Sequence, residues 1–211
     1  MGSRTGRIVA ICLALVAVAA GPALAQDPRF GALKRLEAYI DTADYRAYVS
    51  ARLNEYEAPL LRAECPGLRL IKRAQMWVIE EPSFAASAVV PASGQWSERL
   101  LVDRCGRTVY RNLLIAARDE KLRASALLPG QTSTPPRLQR DALRPAAAQA
   151  RIKTGCQGTM PVADTAVAGK LVPGAPWKED WTFVGCGKSV VVGLTFTPTS
   201  DGVAKVFARA K

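Results

Sequence analysis

Residues 177–183 alternate strictly, with Trp177, Glu179, Trp181 and Phe183 set between Lys178, Asp180 and Thr182. A period of two places the first set on one face of a β-strand and the second on the other. Beyond Gly185-Cys186-Gly187, the run from Lys188 to Thr197 is rich in Val, Thr and Phe, which suits a second strand. With Cys186-Gly187 at the turn centre, Phe183 faces Val190, Trp181 faces Val192, Glu179 faces Leu194 and Trp177 faces Phe196. A slip of one residue would scatter this apolar set over both faces. Cysteine is not a customary turn residue, so a longer loop or a bulge at the glycine is the alternative.

The same pattern stands 81 residues earlier. Trp96-Ser97-Glu98, six residues and then Cys105-Gly106-Arg107-Thr108-Val109 correspond to Trp177-Lys178-Glu179, six residues and Cys186-Gly187-Lys188-Ser189-Val190. So many coincidences at one offset indicate an internal duplication. The first hairpin then faces Val102 with Val109, Leu100 with Arg111, Glu98 with Leu113 and Trp96 with Ile115. On each apolar face the glutamate is the odd residue. Arg111, diagonal to Glu98, is the expected ionic partner in the first copy. A raised-pKa acid or base is the functional reading of these glutamates. Their recurrence in both copies favours a structural role, as half-buried acids paired with a base or with backbone donors.

Around the hairpins the apolar spacing changes. Asp41-Thr42 can cap a helix running to about Pro59, with Tyr45, Tyr48, Val49, Leu53 and Tyr56 on one stripe. Tyrosines at that spacing are expected in a core rather than on a stacking platform. Phe30, Leu33, Leu36 and Ile40 suggest a shorter helix before it, and Leu68 to Glu80 a strand whose most apolar part is Met76–Ile79. The loop Gly130-Gln131-Thr132-Ser133-Thr134-Pro135-Pro136 is the boundary between copies. A helix from Pro136 to about Ile152, bent near Pro145, follows it, with strand candidates at 160–172 and 203–208. The expected fold is α+β, two tandem antiparallel units over residues 26–130 and 131–211, each preceded by helix.

Cysteine arithmetic adds a crosslink to each unit. Cys65 and Cys156 precede their motifs, each with glycine two positions on, so the duplication favours the pairs Cys65–Cys105 and Cys156–Cys186. Neither close C-x₂₋₄-C zinc pairs nor a C-x-x-C redox motif is present, so no metal is expected.

The first residues fit export. Arg4 and Arg7 precede a wholly apolar run from Ile8 to Ala20, followed by Gly21-Pro22 and Ala23-Leu24-Ala25. This is the form of a signal peptide of residues 1–25, cut before Gln26, and the run is short for a transmembrane anchor. Cys12 lies too early, in too poor a context, for a lipoprotein site, and leaves with the signal. Removing Arg4 and Arg7 lowers the formal net charge from +11 to +9. The basic residues are dispersed, which suits an acidic envelope component rather than nucleic acid. The chain contains no histidine. Ser-His-Asp and Cys-His nucleophile systems and every His-containing metal site are thereby excluded. No catalytic residue and no cofactor motif is identified.

The string Trp-x-Glu-x-(Trp or Leu)-x-(Phe or Val)-x-x-Cys-Gly, followed by a Val-rich strand, resembles a motif of small exported bacterial proteins of unknown function. It covers Trp96–Val109 and Trp177–Val192, with Leu100 where the second copy has Trp181. The resemblance implies a bacterial envelope protein, periplasmic or secreted, and brings no activity or site residue. Three functions are compatible with these features. The first is a non-catalytic envelope module that binds a partner or serves structure. The second is a carrier of an anionic or lipidic ligand held between the units. The third is a histidine-free glycan hydrolase using Glu98 and Glu179, which needs its carboxyls within ~5–9.5 Å of each other.

Overall fold

The computed structural model describes residues 28–58, 67–200 and 204–211. Cys12, Cys65 and the expected signal segment 1–25 lie outside them. No helix among the described residues is long and apolar enough to cross a membrane.

The chain begins with α1 (Pro28–Ile40) and α2 (Ala43–Glu57). Thr42 makes the corner between them. Its hydroxyl donates to the Tyr39 carbonyl (2.7 Å) and accepts from the Tyr45 amide (3.3 Å), the N-cap contact the sequence suggests. Tyr45, Val49, Leu53 and Glu57, four residues apart, form the buried stripe of α2.

Two four-stranded antiparallel sheets follow, each in simple chain order. The first contains β1 (Leu68–Ser83), β2 (Ser93–Arg104), β3 (Arg107–Arg118) and β4 (Lys121–Ala126). The second, after α3 (Pro136–Thr154), contains β5 (Val162–Val167), β6 (Trp177–Gly185), β7 (Lys188–Pro198) and β8 (Ala204–Ala210). The pairings read from the apolar alternation are those observed: Trp96 with Ile115 and Val102 with Val109 in one hairpin, Trp177 with Phe196 and Phe183 with Val190 in the other. β5 is shorter than the apolar run from 160 to 172 suggests, and β1 continues three residues past Glu80.

Both hairpins close with two-residue loops, Cys105-Gly106 between paired Arg104 and Arg107, and Cys186-Gly187 between paired Gly185 and Lys188. All four loop residues have positive φ: 53° and 79° in the first, 49° and 70° in the second. Positive φ at both positions is the geometry that matches strand twist, and it normally selects Asn-Gly. A third such turn, Asp119-Glu120 (φ 51° and 58°), joins β3 to β4 without a glycine.

The helices cover one face of each sheet. Leu36, Tyr45, Val49, Leu53, Trp96, Leu113 and Ile115 belong to one core, and Ala142, Ala146, Ala150, Trp181, Phe183, Val192 and Phe196 to another. The three alanines let α3 approach its sheet closely. That helix ends at Gly155 in the left-handed region (φ 69°), whose amide donates to the Arg151 carbonyl (2.8 Å). Cys156 follows and bonds to Cys186, so the disulfide ties a helix end to a hairpin tip 30 residues on.

The loop expected at the boundary between copies lies between the two sheets and is hydrogen-bonded to both as a seam. Leu127 and Gly130 donate their amides to Asn112 O (2.9 Å) and Tyr110 O (3.1 Å) of β3. The buried Asn112 amide returns bonds to Leu128 O (2.7 Å) and Gly130 O (3.0 Å). On the opposite side Gln131 N donates to Thr165 O of β5 (2.7 Å), and the Thr165 hydroxyl donates to Pro129 O. Gly130 is required there. Its φ is +88°, and a Cβ would overlap the Thr165 backbone.

Gly130→Ala is therefore expected to lose roughly 3 kcal/mol or more in urea denaturation. Gly155→Ala, with positive φ but open space around it, should lose only about 1 kcal/mol. Cys186→Ser should cost about 3–4 kcal/mol by the loop-entropy relation, read from the same transition.

Candidate functional site

The two motif glutamates are both buried, but they are satisfied differently. Glu179 Oε1 accepts from Ser133 N (2.8 Å) and the Thr134 hydroxyl (2.9 Å). Its Oε2 accepts from the Thr132 hydroxyl (2.7 Å) and the Trp181 indole (2.8 Å). Four neutral donors thus solvate one carboxylate, and three of them come from the seam. Its role is to fix that segment against β6.

Glu98 instead has its partners on one oxygen. Oε1 accepts from the Tyr45 hydroxyl (2.8 Å) and from Arg73 Nε (3.1 Å), while Oε2 has no hydrogen-bond partner among the described residues. Trp96 Nε1 donates to the Tyr45 hydroxyl (2.9 Å), completing a chain from indole to phenol to carboxylate. Burial pushes the Glu98 carboxyl above its ordinary value, and the Arg73 charge and the hydrogen bonds only partly oppose this. Burial, with Glu98 nearby, likewise raises the Tyr45 phenol, which stays protonated as the donor.

The expected partner of Glu98 is corrected. Arg111 does lie opposite Leu100, but its guanidinium turns to α2 and clasps Glu57 through Nε (2.6 Å) and Nη2 (3.1 Å). Arg73, from β1, takes the place beside Glu98 and also reaches Ile40 O (2.7 Å) and Asp41 (3.2 Å). The reason lies in the helix stripe, which the hairpin pattern does not reveal. Glu57 ends that stripe directly over Arg111, where a bidentate pair is the better geometry.

The remaining motif residues serve the hairpins. Trp96 is fully buried, whereas Trp177 is half-buried and stacks on Phe196 with ring centroids 4.9 Å apart. Val109 and Val190 close the apolar faces next to the turns, and Gly106 and Gly187 supply the second turn positions. Cys156–Cys186 is formed, and the pairing of Cys105 with Cys65 falls outside the described residues. Glu98 and Glu179 share no hydrogen-bond partner: the first is held by Tyr45 and Arg73, the second by Thr132, Ser133, Thr134 and Trp181.

An opening lies on the other face of the first sheet. A cleft of about 590 Å³ runs between that face and the seam, floored by Gln75, Trp77, Ser97 and Arg99 and walled by Pro135, Pro136 and Leu171. Trp77, Ile79 and Leu171 are 40%, 47% and 46% exposed there. A second opening of about 500 Å³, between α2 and β1, is rimmed by Asp41, Arg46, Lys72 and Arg73.

None of the cleft residues stands out in the sequence. Met76-Trp77-Val78-Ile79 is apolar at every position, so parity does not show which side chains leave the core. Met76 and Val78 pack inward, and Trp77 and Ile79 face the cleft. The one available signal was the comparison of copies: at the 81-residue offset Arg99 corresponds to Asp180, a reversal of charge on the open face. No protein-family model, curated protein or solved structure matches this chain.

Glu98 gives a pH-dependent signature. The folded state holds its proton more tightly than the unfolded chain, so the contribution of this group is fully present below the ordinary value of 4.5. It is lost as pH rises through the elevated folded value. Glu98→Gln should therefore flatten the plot of unfolding free energy against pH from 4.5 upward. An unchanged slope would place the titrating group elsewhere.

Proposed function

We propose that the protein is an exported, non-catalytic binding module of two like units, and that its ligand occupies the cleft between the first sheet and the seam. One observation carries this reading: exposed Trp77 and Ile79 from the first half converge with Leu171 from the second on one opening. Its volume of about 590 Å³ falls within the usual size of small-molecule sites, which are mostly apolar with a few placed polar groups. Gln75, Ser97 and Arg99 are such groups. The seam hydrogen bonds, with those to Glu179, hold the wall at Pro135 and Pro136 in place before any ligand arrives, which lowers the ordering cost of binding.

The likeness of the two units is supported by the common register of their hairpins and by Cys105 and Cys186 standing in the same left-handed turn position. A Cys65–Cys105 bond would staple the first unit as Cys156–Cys186 staples the second. The apolar run and Ala-Leu-Ala exit at the start of the chain support export.

A neutral solvatochromic dye such as Nile red tests the cleft. Saturable binding near one dye per protein is expected, with at least about a tenfold loss in the double variant Ile79→Glu, Leu171→Glu. Ile152→Glu, on the exposed side of α3, should bind as the unaltered protein does. Equal binding by both variants, or no saturable binding, overturns the assignment.

A further inference from the structure

We propose that Arg99 is the head-group receptor of this cleft, so that its ligand is an amphipathic anion, with a carboxylate or phosphate at Arg99 and an apolar body along Trp77, Ile79 and Leu171. This rests on the cleft being the binding site, and adds the chemical class of what binds there.

The guanidinium of Arg99 is half-buried and held from three sides. Nε donates to Asn112 Oδ1 (3.3 Å), Nη1 to Gln75 Oε1 (3.2 Å) and Nη2 to the Thr132 carbonyl. Every one of those acceptors is neutral. Four other arginines of the first sheet have carboxylates: Arg69 with Asp103, Arg73 with Glu98 and Asp41, and Arg104 and Arg111 with Glu57. Among the described residues Arg99 has no ion pair. The Glu179 carboxylate acts on Arg99 only through space, and both of its oxygens are already engaged.

A guanidinium carries five N–H donors, and three bonds leave donors over for a planar anion. Burial draws the pKa of Arg99 down, and guanidinium groups stay charged in proteins. Burying a charge with only neutral partners is unfavourable, and an incoming anion removes that penalty. The Trp77 ring lies under the guanidinium at 5.0 Å, so it fixes the fork and also begins the apolar wall. Charge receptor and apolar surface thus adjoin one another, and a ligand using both must itself have one charged end and one apolar end.

Displacement of the neutral dye by dodecanoate, dodecyl phosphate and dodecanol, each below its micellar concentration, tests the inference. The two anions should bind at least about tenfold more tightly than the alcohol, the size of one charge-assisted hydrogen bond. Their ratio to each other distinguishes a carboxylate from a phosphate head. Arg99→Gln should abolish the preference, and Arg99→Lys should keep part of it. Gln75→Glu, an exposed position that places a carboxylate beside Nη1, should abolish the preference too and does not depend on Arg99→Gln folding. If the alcohol competes as well as the anions, the anion assignment falls while the cleft survives. If none of the three displaces the dye, both fall.

Discussion

The structure depends on satisfying the backbone between residues 127 and 131, where the two sheets meet. A chain segment lying between two sheet edges has donors and acceptors on both sides, and each must find a partner. Here β3 and the Asn112 amide take one side, and β5 with the Thr165 hydroxyl takes the other. The stretch of β3 that β4 leaves unpaired and the edge of β5 are covered by the same stroke, which removes a site for unwanted strand pairing. Gly130 is the residue that allows the approach, and Glu179 then anchors the next three residues to the second core. The position of α3, the cleft wall at Pro135 and the environment of Arg99 all follow from this path.

Glu98 and Glu179 illustrate how one position in a hairpin can be used twice. Both lie on an apolar face opposite a leucine, where an ionised acid would be expensive to bury alone. The second half supplies hydroxyl, amide and indole donors, enough for all the work of a carboxylate. The first supplies an arginine and a phenol on one oxygen and leaves the other bare. Half-satisfied polar clusters are the more sensitive to change. Glu98 accordingly makes the stability of the first half respond to pH, and Glu179 holds the seam against β6.

Much of the fold was legible. Strict alternation at 177–183, carried to 96–102 by the 81-residue offset, fixed strand, face and register, because a period of two leaves one choice once a face is buried. The Thr42 cap and the stripe from Tyr45 to Leu53 were equally readable. What escaped was set by contacts distant in the chain. Arg111 could not be assigned to Glu57 without knowing where α2 ends over the sheet. The Gly-Gln-Thr-Ser-Thr-Pro-Pro segment has the composition of a loop, and only its neighbours make it a seam. Arg99 looked like one more surface base, since nothing local says that its partners are all neutral.

The Cys-Gly turn carries a dependence on surroundings. Cysteine at φ 49° occupies a conformation that costs an L-residue about 1–2 kcal/mol, and asparagine would suit it better. With the bond to Cys156 in place, that cost is outweighed by the lost freedom of the unfolded chain. With the bond reduced, the hairpin keeps a poor turn residue and gains nothing from it. A sequence shaped in reducing surroundings would gain by replacing this cysteine with asparagine, so the turn itself favours an oxidising setting.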